Sequence, residues 1–356
     1  MSELLAQTVL GILAAEPVLA ADEQAGWSPG QWSRLVAAGL DGIGYPEDLG
    51  GAGGGLDDAL TAVRAAAAGA AAVPLAETIL GSVPALAVAG ASRPDGLTVP
   101  TTFAAAADVS GEWTAHGLRL HGVARRVPFA RHADHVLIPV AADGREWRLA
   151  LCPATAVRVT PHGNVAGEAR DDVDFIGARP TDLWEVSGSA LLRLRRLAVV
   201  ARTAQMAAAG EQVLALTTRY AAERTQFGRP IAKFQAVAHN IALLAGEVAI
   251  ASAAVQAAAD ALDGSDAGLA VTAAKARVSR GAGEVSRIAH QVFGALGFTQ
   301  EHSLHRLTRR LVAWRDECGS VAACEREIGA LVLGAGADGF WPLITAASAQ
   351  IPTRPT

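Results

Sequence analysis

The chain has 356 residues, enough for a large core spread over two or three layers or domains. Its formal net charge is -5 with both signs interspersed, which argues against a nucleic-acid partner. Hydrophobic residues make up 51%, yet no run of about 18 uninterrupted strongly apolar residues occurs and no basic stretch precedes an apolar one at Met1-Ser-Glu-Leu-Leu5, so neither a membrane span nor a secretory leader is expected.

Residues 1–95 are rich in Ala and Leu at helical spacing, which predicts helices interrupted by the loop Pro46-Glu-Asp-Leu-Gly-Gly-Ala-Gly-Gly-Gly55. Residues 96–192 change texture. Leu118-Arg-Leu-His121 and Trp147-Arg-Leu-Ala-Leu151 alternate apolar and polar positions, Val136-Leu-Ile138 is a short apolar run, and prolines 128, 139, 153 and 161 bound the segments. With Asp143-Gly144 as a turn signal, this stretch predicts a small antiparallel β domain. Residues 193–356 return to helical spacing. One helix is expected over Leu197–Phe227, stopped at Gly228-Arg-Pro230 because proline cannot continue it. A second is expected over 232–262, with Val237, Ile241, Leu244 and Val248 as its buried stripe. Ser265 or Asp266 is positioned to cap a third that reaches Phe293, a fourth starts at Glu301 and a fifth near Val321. The fold class is α+β, a helical domain and a β domain followed by an antiparallel bundle.

Cys152, Cys318 and Cys324 are odd in number and lack metal-ligand spacing, which predicts a reduced, cytoplasmic protein without a metal site. Lys233 and Lys275 are the only lysines. Gly334-Ala-Gly-Ala-Asp-Gly339 has the spacing of a dinucleotide fingerprint, but too little chain follows it for a βαβ unit, so it reads as a helix C-cap and tail.

Two motifs carry chemistry. Tyr220-Ala-Ala-Glu-Arg-Thr-Gln-Phe-Gly-Arg-Pro-Ile231 holds an arginine and an aromatic at a helix corner. Gln291-Val-Phe-Gly-Ala-Leu-Gly-Phe298 places a glutamine before closely spaced glycines. Each alone is consistent with an ordinary helix end, where arginine complements the dipole. Together they suggest a grip on an elongated anionic cofactor.

These segments, with Gly44-Tyr-Pro-Glu47, Gly50-Gly51, Phe234-Gln235 and Glu301, resemble the acyl-CoA dehydrogenase family over nearly the full length. The resemblance implies a helical domain, a middle β domain and a four-helix bundle, with FAD lying across a subunit boundary. Carried over, Arg224 would pair with the pyrophosphate as a guanidinium fork. Phe227 would pack on the cofactor, Gln291 would bond its adenosine end, and Gly294 would admit the backbone. Ala295 stands where a glycine is common, and Gln226 and Ser320 join the cofactor-binding set.

The family's reaction removes hydrogens from the α and β carbons of an acyl-CoA, a desolvated carboxylate taking the α proton. Its two base positions fall here on Cys318 and Ala198, neither of them a carboxylate. A one-residue shift makes Glu317 the base; the alternative is a helix-terminal acid, or an ion pair with Arg315 or Arg310. The flavin-lining motifs are also missing from the matching stretches 101–105 and 122–128. The resemblance therefore implies either an FAD-dependent subunit that dehydrogenates a bulky, for instance steroid-derived, acyl-CoA and passes electrons to an electron-transfer flavoprotein, or a non-catalytic partner completing the FAD site of a homologous chain in an α2β2 heterotetramer. A flavin-dependent oxidase or monooxygenase on the same fold is the more distant option.

Overall fold

A computed structural model describes residues 2–15, 26–104, 106–142, 146–264 and 267–348. The Asp143-Gly144 turn and the capping residues Ser265 and Asp266 lie outside them. The chain divides into two compact units, Met1–Gln205 and Met206–Thr356.

The first unit opens with helices α1 (Ser2–Ala15), α2 (Pro29–Ala37), α3 (Leu56–Ala68) and α4 (Leu75–Val88). Strands β1 (Thr98–Pro100), β2 (Ala106–Thr114), β3 (Gly117–Pro128), β4 (His135–Ala142), β5 (Glu146–Pro153), β6 (Arg158–Thr160), β7 (Arg170–Ala178) and β8 (Asp182–Val186) follow. They form one sheet in the order β6-β7-β3-β2-β4-β5-β8, with β1 on β4. The pairing is antiparallel as expected except at β1–β4 and β2–β4, which run parallel. No hairpin signal could reveal this, because β1 reaches β4 only after the β2–β3 hairpin has been inserted between them. One face of the sheet buries Leu120, Val127, Val136, Ile138, Val173 and Phe175, and Trp27 and Trp32 pack against that core. Burial pushes the Cys152 thiol up to about 12.

Charged groups are also buried here. Arg170 pairs with Glu168 at 2.9 Å, and the buried carboxylate of Asp171 accepts from Arg131. In α4 the backbone widens to a π-helix over Thr78–Ser82. Just before it, Glu77 accepts from Arg202 at 2.8 Å, and both side chains are fully buried. Arg202 also donates to Gln205 at 2.5 Å and lies over the Phe103 ring at 5.2 Å.

Helix α5 (Gly188–Glu223) starts earlier and stops sooner than its sequence suggests. The Ser187 hydroxyl accepts from Ala190 N–H at 3.1 Å and so supplies an upstream cap. After Glu223 the chain folds into a two-strand hairpin, Thr225–Gln226 against Arg229–Pro230, and the helix does not reach Phe227. The second unit continues with α6 (Gln235–Asp260), α7 (Ala267–Phe293), α8 (Leu304–Arg315) and α9 (Val321–Ser348). Of the expected α6 stripe, Leu244 and Val248 are buried while Val237 and Ile241 are half-buried. By length and composition α6 is apolar enough to cross a membrane, which the absence of strongly apolar runs did not suggest, because alanine supplies much of its apolarity. It carries Glu247, paired with Arg277 of α7 at 2.7 Å. At Gly336 (φ 69°, ψ 177°) the backbone leaves helical geometry, so a helical segment does end within Gly334–Gly339, but a second helical segment rather than a tail follows it to Ser348.

The Glu77–Arg202 pair gives a first expected outcome. Glu77→Ala should cost about 3–5 kcal/mol in urea unfolding, because it strands a buried guanidinium, whereas Glu77→Leu combined with Arg202→Met should be close to neutral. A double variant as unstable as the single one would contradict this.

Candidate functional site

At the end of α5, Arg224 N–H still bonds the Tyr220 carbonyl at 2.8 Å, and Ile231 N–H closes the hairpin on the Arg224 carbonyl at 2.8 Å. The two tip residues, Phe227 (φ 51°) and Gly228 (φ 77°), both have positive φ, as a tight two-residue turn requires. Glycine takes this at no cost; phenylalanine does so against its own sterics. The result is an aromatic ring held 91% exposed, with Arg224 and Gln226 exposed beside it. Phe234 supports the tip: its ring meets Phe227 edge-on at 6.0 Å and lies under the Arg229 guanidinium at 4.4 Å.

At the end of α7, Gln291, Gly294 and Ala295 are exposed. Gly294 (φ 62°) faces open space, and Gly297 is packed so closely that a Cβ there would sit 2.9 Å from His290 Nδ1. The Tyr220 ring stacks on Phe293 at 4.2 Å and 14°. This contact brings the two sequence motifs, far apart along the chain, to neighbouring helix ends. An exposed guanidinium, amide groups, an aromatic ring and an open glycine backbone together suit an elongated ligand with a phosphate and an aromatic end.

Beneath these residues lies a histidine cluster that the sequence did not single out. His290 stacks on Phe298 at 4.2 Å, donates or accepts with Thr308 Oγ1 at 2.9 Å through Nε2, and buries Nδ1 without a hydrogen-bond partner. Phe293 meets His302 at 4.6 Å, and His305 Nδ1 bonds the His302 carbonyl at 2.7 Å. Burial holds both His290 and His302 below the usual imidazole range, aided by His305 beside each and by Arg219 beside His302.

Glu317 and Ser320 lie elsewhere. Glu317 is 6% exposed, in the turn after α8, where Cys318 (φ 55°) and Gly319 (φ 115°) are both left-handed. Ser320 caps α9, its hydroxyl accepting from Ala323 N–H at 3.3 Å. Arg315 pairs with Asp316 at 3.2 Å. The buried Lys275, which the sequence marked only as one of two lysines, ties this turn to α7 by donating to the carbonyl of Arg315 at 2.7 Å. Gln291 stands 16 residues further along the same helix, roughly 24 Å away at 1.5 Å per residue. The second unit thus carries two separate groups of candidate residues. In the first unit Ala198 is buried, Thr101–Phe103 is a 3-10 turn and stretch 122–128 lies in the bulged strand β3.

Residues 184–316 match the family model described as acyl-CoA dehydrogenase, C-terminal domain. Acyl-CoA dehydrogenase FadE28 of Mycobacterium tuberculosis is 30% identical over 295 residues, covering 77% of this chain and 84% of that protein. Acyl-CoA dehydrogenase FadE34 of the same organism is 30% identical over 345 residues, covering 92% of this chain; the chain spans about half of that relative, 47%. Among solved structures, a chain of the ChsE4-ChsE5 complex from Mycobacterium tuberculosis superposes with a TM-score of 0.85 at 24% identity, covering 93% of this chain and 97% of that one.

The histidine cluster sets an expected pH dependence. An unfolded imidazole titrates at 6.5, and His290 and His302 titrate lower when folded. Below about pH 6.5 the unfolded chain therefore binds protons that the fold resists, so stability is complete above that pH and falls as the solution is acidified. The urea midpoint should drop between about pH 7 and pH 5, and less so in His290→Gln. An identical drop in both proteins would contradict the assignment.

Proposed function

This chain belongs to the acyl-CoA dehydrogenase family, and from that premise we propose that it is an FAD-dependent subunit that dehydrogenates an acyl-CoA thioester between its α and β carbons. The observation that carries the proposal is the Tyr220–Phe293 stack, which assembles Arg224, Gln226, Phe227, Gln291 and Gly294 on neighbouring helix ends. FAD fits this donor set. The guanidinium fork of Arg224 would hold the pyrophosphate, Gln291 the adenosine end, and Phe227 the exposed edge of the cofactor. Gly294 and Ala295 present little side chain to obstruct it, and Ser320 would contact the cofactor at the other group. When bound, FAD supplies the acceptor for the hydride that leaves the β carbon.

Glu317 takes the proton from the α carbon. Its burial removes the water that would otherwise blunt a carboxylate base. In this reading Arg224 and Gln291, well away from Glu317, serve a cofactor whose reacting end belongs to another chain, and Glu317 serves the one at home. The reading thus places a homologous subunit, or a second copy, across the site. A bulky, steroid-derived acyl group, an electron-transfer flavoprotein as oxidant and a cytoplasmic setting complete the proposal, the last suited to three cysteines that form no disulfide.

A second reading, that the chain is a non-catalytic partner lending only the Arg224 group, is favoured by Cys318 and Ala198 standing at the family's base positions. One pair of variants separates the two. Arg224→Ala should weaken FAD retention about 10–100-fold in the holo-assembly, the loss of charge-assisted hydrogen bonds. Glu317→Gln should keep FAD and lower kcat by about 10²-fold or more. Loss of FAD in the first with unchanged turnover in the second would select the partner reading. Full FAD content and turnover in both would refute the site.

A further inference from the structure

Lys275 sits on α7 with its side chain completely buried. Its ammonium is fully engaged: Nζ donates to the Arg315 carbonyl at 2.7 Å, to Ser279 Oγ at 2.9 Å and to the Trp314 carbonyl at 3.3 Å. Ser279 reinforces the clasp by donating to the Arg315 carbonyl at 3.3 Å. These carbonyls are the last of α8, groups that a helix end leaves without intrahelical partners. A cation there also complements the negative end of the helix dipole.

The Trp314 carbonyl has further donors. The N–H of Asp316 bonds it as the helix cap, and the N–H of Glu317 bonds it at 3.2 Å. The ammonium of Lys275 and the amide of Glu317 therefore meet on a single oxygen atom. Past that point the chain has two consecutive residues of positive φ, Cys318 and Gly319, the first of them without glycine's freedom. A backbone turned this sharply holds one conformation only when its surroundings over-determine it. On the α9 side the fit is close, since a Cβ on Gly319 would approach Cys324 Sγ to 3.3 Å. On the α7 side the constraint is the lysine.

We propose that Lys275 is a positioning residue that fixes the orientation of the Glu317 carboxylate by clamping the end of α8. The inference rests on the reading of Glu317 as the base and adds the device that aims it. A side chain of similar length without charge, such as methionine, would take the ammonium from both carbonyls, leaving only the Ser279 hydroxyl on one and the backbone amides on the other, and let the turn relax. The carboxylate would remain present but misdirected, and a misplacement of about 1 Å can cost 10²-fold in rate.

The test uses the FAD-loaded assembly. Lys275→Met should lower kcat at least about 10-fold while KM and FAD content stay within about twofold, and amide exchange at Glu317 should accelerate. Lys275→Arg, which keeps a cation, should recover part of the rate. Ser279→Ala loosens the same clamp without removing the charge and should lower kcat in the same sense, which keeps the test open if Lys275→Met does not fold. Wild-type kcat and wild-type Glu317 exchange in the lysine or serine variants would overturn the proposal. Parallel losses in kcat, KM and FAD content would overturn it too, as general unfolding. Glu317→Gln distinguishes the two levels. Full activity in that variant removes the base reading itself, whereas its inactivity beside a fully active Lys275→Met removes only the clamp.

Discussion

The second unit is organised by the rigidity of α7. Its 27 residues form an unbroken helix, roughly 40 Å long. Small residues, among them Ala274, Gly281, Ala282 and Ala289, let its neighbours approach, and α6, α8 and α9 all pack on it. A helix packed on several sides cannot bend to bring its ends together. Whatever its N-terminal half positions through Lys275 and whatever its C-terminal end positions through Phe293 stay a fixed distance apart. That separation is why the candidate residues form two groups.

Each group is set by an interaction that resists relaxation. At the far end, the Tyr220–Phe293 stack fixes where α5 finishes relative to α7, and the positive-φ turn at Phe227-Gly228 then aims an aromatic ring into solvent. The ring is exposed apart from its edge-on contact with Phe234 and is carried on a positive-φ residue. At the near end, a buried ammonium binds helix carbonyls. The first unit uses the same chemistry: Arg202 with Glu77 and Arg170 with Glu168 are charges taken out of water and paired directly, at 2.8 and 2.9 Å. Removing one member of such a set costs far more than the pair contributes.

Much of this was legible in the sequence, and what was not has identifiable causes. The helical, β and helical textures came through because alanine-rich periodicity and strand alternation differ strongly. The two motifs around Arg224 and Gln291 were legible as a pair. Their joining was not, since a ring stack between Tyr220 and Phe293 leaves no pattern along the chain. The α5 boundaries shifted because Ser187 caps upstream and because Thr225–Pro230 prefers a hairpin with its own turn chemistry. The parallel β1–β4 contact depends on a hairpin inserted between them. Gly336 does break α9 into two helical segments, while Pro342 lies inside the second of them. Lys275 was visible only as a rare residue type; its burial is a property of three helices meeting.

The central claim is that one cofactor is held by two chains. Native mass spectrometry of the purified protein, alone and with a co-expressed homologous subunit, tests it most directly. FAD should appear only on species containing at least two chains. A monomer of this chain that retains FAD through the measurement would contradict the claim.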